Sequence, residues 1–206
     1  MIILLGTSHI SPESVKNVKE IINKEEPDCV AVELDRMRYV ALTSKEGTNP
    51  PGMFLKILSW FQKELGKMTG IAPGEEMIEA VKFSRRKKID TYLIDQDFYI
   101  TVRDIQKIST FEKTKLFIMA LFGSFAGRKI NLKKVPPKKV IEEALGYLKK
   151  NFPQIYGAIV VKRNVHMALA IKGLSRKYKK VLAVVGAGHI EGLKNLLKSE
   201  NLKVIG

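Results

Sequence analysis

Two of the three histidines in this chain stand in matching positions, His9 closing Gly6-Thr7-Ser8-His9 and His189 closing Gly186-Ala187-Gly188-His189. Each pattern follows a short apolar run, Ile2 to Leu5 and Val181 to Val185, of the kind that forms a buried strand. A glycine lets the backbone turn tightly out of the strand. An imidazole a few residues on then reaches the carboxyl edge of a sheet, where open α/β folds place their ligands. If the first and last main strands lie side by side, the two rings converge from opposite ends of the chain.

Other strand ends carry acids. Glu33 ends the apolar run from Cys29 to Leu34, and Asp95 and Asp97 follow Thr91-Tyr92-Leu93-Ile94. Two imidazoles and several carboxylates form a ligand set suited to a divalent metal ion such as manganese, cobalt or zinc, with water completing the coordination. The plainer alternative is that each histidine caps or orients a turn, and that Asp97 caps a helix opening at Phe98. His166 lies inside a helical pattern with no strand end near it, which points to a structural role.

The elements that must position these groups alternate. Ser11-Pro12-Glu13-Ser14 opens a helix with Val15, Val18, Ile21 and Ile22 on one face, and Asp35 caps a short helix through Tyr39 and Leu42. Helical patterns follow over Met53 to Met68 and Glu75 to Phe83. From Phe98 to Lys150 the pattern is helical, interrupted at Gly123 to Gly127 and by a basic connector ending at Pro136-Pro137. A long helix from Gln154 to about Leu174, a strand, a helix from Ile190 and a last strand over Leu202 to Ile205 complete the chain. Strands alternating with helices predict an α/β fold: a mainly parallel central sheet with flanking helices and a helical insertion. The expected organisation is one domain over residues 1–206, with helical insertions at about 45–88 and 98–150.

Composition narrows the classes. With 45% hydrophobic and 28% charged residues over 206 positions, the chain is of ordinary globular type and long enough for a sizeable core. Cys29 is the single cysteine, so no internal disulfide forms and a reducing, cytoplasmic setting is expected. The longest apolar stretch, Leu116 to Phe125, is too short for a transmembrane helix, and Met1 to Leu5 lacks the basic leader of a signal peptide. The net charge of +15 gathers in Arg85-Arg86-Lys87-Lys88, Arg128 to Lys139 and Arg176 to Lys180, clusters that suit phosphates or the periphery of an anionic membrane. They carry little aromatic interleaving and no helix-turn-helix, zinc-finger or RNP pattern, so no specific nucleic acid is expected.

Four ordered blocks resemble the TraB/PrgY family over nearly the whole chain. They are Gly6-Thr7-Ser8-His9; Pro27-Asp28 running into Val32-Glu33-Leu34-Asp35 with Arg38-Tyr39 and Ala41-Leu42; Leu93-Ile94-Asp95-Gln96-Asp97; and Val184-Val185-Gly186-Ala187-Gly188-His189. That family includes bacterial pheromone-shutdown proteins and is related to the Tiki metalloproteases and, more distantly, to erythromycin esterases. The resemblance implies that His9 and His189 hold a metal with Glu33, and that Arg38 stands one helical turn beyond. It also implies that Glu76 is a second glutamate, Asp97 and Arg103 an acidic and basic pair, and Arg163-Asn164 a late helical motif. Lys162 stands where many relatives carry an acid, so any role of that carboxylate is missing here.

A metal-dependent hydrolase of peptides or peptide signals is the activity so implied. One glutamate would accept a proton from water, and Arg38 or Arg103 would stabilise the developing oxyanion or hold a substrate carboxylate. Glu33 as a plain ion-pair partner of Arg38, Glu76 as a solvated helix residue and Arg103 as a surface charge are the competing readings. A protein of another class, binding a peptide or small signal molecule without cutting it, fits the same residues, alone or as a homo-oligomer.

Overall fold

A computed structural model describes residues 1–7, 12–43, 74–115 and 138–205. Five strands form one sheet: Ile2–Thr7 (β1), Cys29–Val32 (β2), Asp90–Leu93 (β3), Val181–Gly186 (β4) and Leu202–Ile205 (β5). All pair in parallel, in the order β3-β2-β4-β1-β5. The three inner strands are buried at every position, which is why their sequences are continuous apolar runs and not alternating ones. Asp90 and Lys203 lie on the partly exposed edge strands.

The helices are Pro12–Glu25 (α1), Arg36–Thr43 (α2), Glu75–Arg86 (α3), Phe98–Lys107 (α4), Lys138–Asn151 (α5), Pro153–Tyr156 (α6), Lys162–Lys177 (α7) and Ile190–Leu196 (α8). Side chains of period two divide the sheet residues between two cores. Ile3, Leu5, Val30, Val32, Leu182 and Val184 pack on Val18 and Ile22 of α1 and on Met77, Ile78 and Val81 of α3. Ile2, Leu4, Ala31, Ala183 and Val185 pack on Met167, Ala168 and Ile171 of α7 and Leu193 of α8. A satellite core of Phe152, Ile155, Ala158 and Ile108 seats α6 and the wide π-type turn Gly157–Val161 that runs into α7.

This winding fixes where a ligand can enter. Helices following β1 and β2 cover one face; those preceding and following β4 cover the other. Since β4 lies between β2 and β1, the connections diverge on either side of its carboxyl end, the place where open α/β sheets hold their ligands. The parallel α/β architecture expected from sequence is the one observed. The two Gly-x-x-His segments leave neighbouring strands in register, with Gly6 opposite Val185 and Thr7 opposite Gly186.

The glycines serve a different purpose from the tight turn expected of them. Gly186 is extended at φ −60° and ψ 139°, and Gly74 is the glycine with positive φ among the described residues. At Gly6 the reason is close approach, because a Cβ there would stand 3.1 Å from Ile190 Cγ1. The helix expected over Met53 to Met68, the interruption at Gly123 to Gly127 and the basic connector after it lie outside the described residues. Among the described residues no helix is long and apolar enough to cross a membrane.

Cys29 is fully buried at the start of β2. Burial first, then the carboxylates of Asp28 and Asp90, push its thiol up to about 12. Native protein should therefore resist a thiol reagent at pH 8, whereas urea-unfolded protein should react fully. The unfolded thiol ionises from its ordinary value of 9.0 upward while the native one keeps its proton, so this residue should erode stability as pH rises between those two values. Rapid native labelling would contradict this burial.

Candidate functional site

Where β2 leaves the sheet, the Glu33 amide still donates to the Val184 carbonyl at 3.0 Å. That bond holds the residue against β4, and its side chain is buried at 1% exposure. Glu33 Oε2 accepts from the Gly186 amide at 2.6 Å. Oε1 accepts from Arg163 Nη2 and lies 3.3 Å from His189 Nε2. One carboxylate thus joins β2, β4, α7 and the turn Ala187–His189 that precedes α8.

Arg163 comes from the first turn of α7. Its Nε and Nη2 fork the two oxygens of Asp95 at 2.8 and 2.7 Å, and its Nη1 donates to the Ile159 carbonyl of the π-type turn at 3.3 Å. Burial pulls the guanidinium pKa down, but the charge of Glu33 and the hydrogen bond to Asp95 outweigh it and leave the group above its ordinary value. Arg163 is a permanent cation locked between two acids. The other end of α7 is tied to the same edge strand, since the Tyr178 hydroxyl donates to Asp90 and meets the Tyr92 hydroxyl at 2.6 Å.

His189 is buried and held from behind. Its Nδ1–H donates to Asn164 Oδ1 at 2.6 Å, which in a neutral ring leaves Nε2 with its lone pair toward Glu33. Asn164 is in turn seated by Gly192: a Cβ at that position would come 2.1 Å from Asn164 Nδ2. No conformer of α8 with a side chain at 192 admits the amide where it now sits.

Arg38 stands outside this buried set. Asp35 Oδ1 caps α2 by accepting from the Met37 and Arg38 amides at 2.8 and 3.1 Å, and Arg38 Nη1 then reaches Asp95 Oδ2 at 3.3 Å. Glu76, in the first turn of α3, is 1% exposed, and the Thr7 hydroxyl lies 3.4 Å from its Oε1. Because Thr7 is the register partner of Gly186, Glu76 borders the carboxyl end of β4 from the β1 side.

Of the residues singled out by sequence, the structure brings together Glu33, Arg38, Arg163, Asn164 and His189, with Glu76 adjoining. Asp97 is exposed and accepts from the Tyr99 amide at 2.8 Å as the cap of α4, and Arg103 is exposed on that helix. His9 lies outside the described residues, and His166 is exposed on α7. Gly192 was not assigned a role by sequence, and Asp95 was named there only among the strand-end acids of a possible metal-ligand set. Asp95 was one of two acids after β3, and the signal that separates them is that its backbone continues the ladder, donating to Leu34 O at 3.2 Å. Gly192 stands three residues after His189 and so on the same helical face, which is the trace it leaves in the sequence.

These groups fit part of a divalent metal site. His189 Nε2 and Glu33 Oε1 are two suitable donor atoms facing one another, and the Asn164 bond to Nδ1 is the outer contact that orients a ligating imidazole. Zinc takes three or four protein ligands, so this pair needs a further donor. Among the described residues no group of three or more histidines, cysteines or acids is gathered closely enough to complete a site, and His9 is the remaining candidate.

A parallel α/β protein with a buried imidazole, carboxylate and guanidinium set at the carboxyl end of its middle strand is the class defined by this arrangement. The chain belongs to the TraB/PrgY/gumN family, which it matches over residues 1–204. It is similar to an uncharacterized protein of Methanocaldococcus jannaschii, 35% identical over 211 residues, covering 96% of this chain and 53% of that protein. TraB domain-containing proteins of Bos taurus and Homo sapiens are 25% and 24% identical over 241 residues, covering 98% of this chain and 64% of theirs. The chain therefore spans between about half and two thirds of the length of these relatives.

Two outcomes follow from the geometry. Replacing Arg163 by Met strands two buried carboxylates, and urea unfolding should show a loss of about 3–5 kcal/mol, with Arg163→Lys less affected. Gly192→Ala should displace Asn164 and cost about 1–3 kcal/mol by overpacking. Its more telling readout is the slowly exchanging Nδ1–H proton resonance of His189, present in the parent and absent in the variant. An unchanged resonance would mean that Asn164 is not what holds the ring.

Proposed function

We propose that this chain is a hydrolase of peptides or peptide signals that uses a divalent metal ion, manganese, cobalt or zinc, held by His189 and Glu33 together with His9. The observation that carries the reading is the opposed pair His189 Nε2 and Glu33 Oε1 at 3.3 Å, with the ring clamped at its other nitrogen by Asn164. A neutral imidazole lone pair and a carboxylate oxygen facing each other repel, and a cation shared between them relieves that repulsion. A bound divalent ion supplies polarisation of a substrate carbonyl and a more acidic water.

The remaining work falls to the chain's own side chains. Asn164 selects the tautomer in which Nε2 is the donor atom, and Gly192 gives Asn164 its room. Arg163 holds Glu33 in place and offsets part of the negative charge of Glu33 and Asp95 together. Glu76, buried on the β1 side, accepts the proton of the attacking water. Arg38, the half-exposed guanidinium of the set, donates to the substrate. Asp97 and Arg103 take no part in this scheme.

A second reading, binding without cleavage, draws on Glu33 itself. Both of its oxygens already accept a hydrogen bond, as in a carboxylate built to hold its place. Elemental analysis of protein purified without chelator separates the two, followed by cleavage of a peptide library with and without added manganese or cobalt. The hydrolase reading expects about one equivalent of metal, its loss in His9→Ala and His189→Ala with folding retained, and a rate falling about 10²- to 10⁴-fold in Glu76→Gln. No uptake of zinc, manganese or cobalt, together with intact peptides, would transfer the assignment to a binding protein.

A further inference from the structure

Two guanidiniums meet Asp95, and they are employed differently. Arg163 spends four of its five N–H donors: its Nε and Nη2 lie on Asp95, its Nη2 also on Glu33 and its Nη1 on the Ile159 carbonyl. Among the described residues Arg38 makes one side-chain polar contact, a single long bond from Nη1 to Asp95 Oδ2 at 3.3 Å, on an oxygen that Arg163 already occupies at 2.7 Å. The Asp95 side chain is 3% exposed in that pair and the Arg38 side chain 31%. Toward the described residues, four of the five N–H donors of Arg38 are unspent. The nearest approach to its Nη2 from α3 is at Gly74, where a Cβ, were there one, would lie 4.0 Å away, so no side chain from that position covers the group.

Position decides what those donors meet. Asp35 caps the turn that carries Arg38, so the residue is anchored at its backbone while its head group is tethered at one point. It stands on the solvent side of the buried set, over the carboxyl ends of β2 and β3. Stabilising an oxyanion calls for rigid, desolvated donors aimed at one point, and Arg163 has the rigidity but spends four of its five donors within the protein. A part-exposed fork with free parallel donors is instead matched to a planar anion that arrives with the ligand.

We infer that Arg38 is a subsite for a carboxylate carried by the peptide, so that the site selects peptides presenting a free acid. The inference rests on the peptide reading of the site but not on cleavage. Two sources can supply that carboxylate, the C-terminus or an Asp or Glu side chain.

The test uses fluorescein-labelled random octapeptides in two pairs of pools. One pair differs only in a free or amidated C-terminus, with no acidic residues; the other is amidated throughout and differs only in Asp and Glu against Asn and Gln. Binding is read by polarisation and cleavage by mass spectrometry. The acid form of one pair should bind at least about tenfold more tightly, the scale of a charge-assisted hydrogen bond. Arg38→Gln should erase the difference, and Arg38→Lys, which keeps the charge but not the fork, should leave only part of it. Which pair responds names the source. With the parent protein alone, N-acetylglycine should compete and N-acetylglycinamide should not, which keeps the test independent of how the variants fold. Equal binding within both pairs, or discrimination that survives in Arg38→Gln, overturns the assignment. Cleavage without discrimination removes the subsite and leaves the hydrolase; discrimination without cleavage does the reverse; no binding to any pool removes both.

Discussion

The guanidinium of Arg163 between Glu33 and Asp95 is the contact on which the rest of the site is built. Three charges withdrawn from water are tolerated only because each satisfies the others, since an isolated buried carboxylate carries a penalty of several kcal/mol. The pairing is worth little as net stability when set against an apolar core of the same volume. What it provides is position. Glu33 comes from the end of β2, Asp95 from just beyond β3 and Arg163 from the first turn of α7, so one cation fixes the ends of three elements that are distant in sequence.

That fixation explains why helix α7 begins as it does. The π-type turn Gly157–Val161 places an extra residue in the helix immediately before Lys162, and Arg163 folds back on the Ile159 carbonyl of that turn. Wide turns of this kind concentrate where a helix must re-aim a side chain. Here the re-aimed pair is Arg163 and Asn164, adjacent in sequence, one reaching Glu33 and the other reaching the far nitrogen of the imidazole that Glu33 faces. Lys162, beside them, turns outward to Asp104 of α4 at 2.9 Å.

Much of this was legible in the residues, and the parts that were not share a cause. Continuous apolar runs identified the three inner strands because strands buried on both faces have no polar side to show, whereas the edge strands β3 and β5 carry polar residues and were placed by the alternation of strand and helix. The Asp35 cap was readable because it is a local hydrogen bond, made within a few residues of its own position. The partner of Glu33 was not readable in this way: Arg38 is near in sequence, yet the ion pair is with Arg163, set by how α7 crosses the sheet. The choice between Asp95 and Asp97 likewise depends on where the β3 ladder stops, and Gly192 matters through an amide that arrives from another helix. Local chemistry is written in the sequence, whereas partnerships across elements are written in the packing.

The contact between His189 and Glu33 follows from that packing and constrains the chemistry in a specific way. Arg163 and the Gly186 amide take one acceptor direction on each Glu33 oxygen. His189 Nε2 lies 3.3 Å from Oε1, the oxygen that Arg163 also holds. Asn164 Oδ1 meets the ring at Nδ1, and Gly192 leaves the amide the room to stand there. The ring is therefore left with two ways to satisfy Nε2: to carry a second proton and donate it to Glu33, or to share a cation with it. A proton would make this an imidazolium–carboxylate pair inside an already paired cluster; a cation would make it a ligand pair. Both arrangements depend on the same four residues, Glu33, Arg163, Asn164 and His189, whose packing across β2, α7 and the turn before α8 sets the gap between that nitrogen and that oxygen.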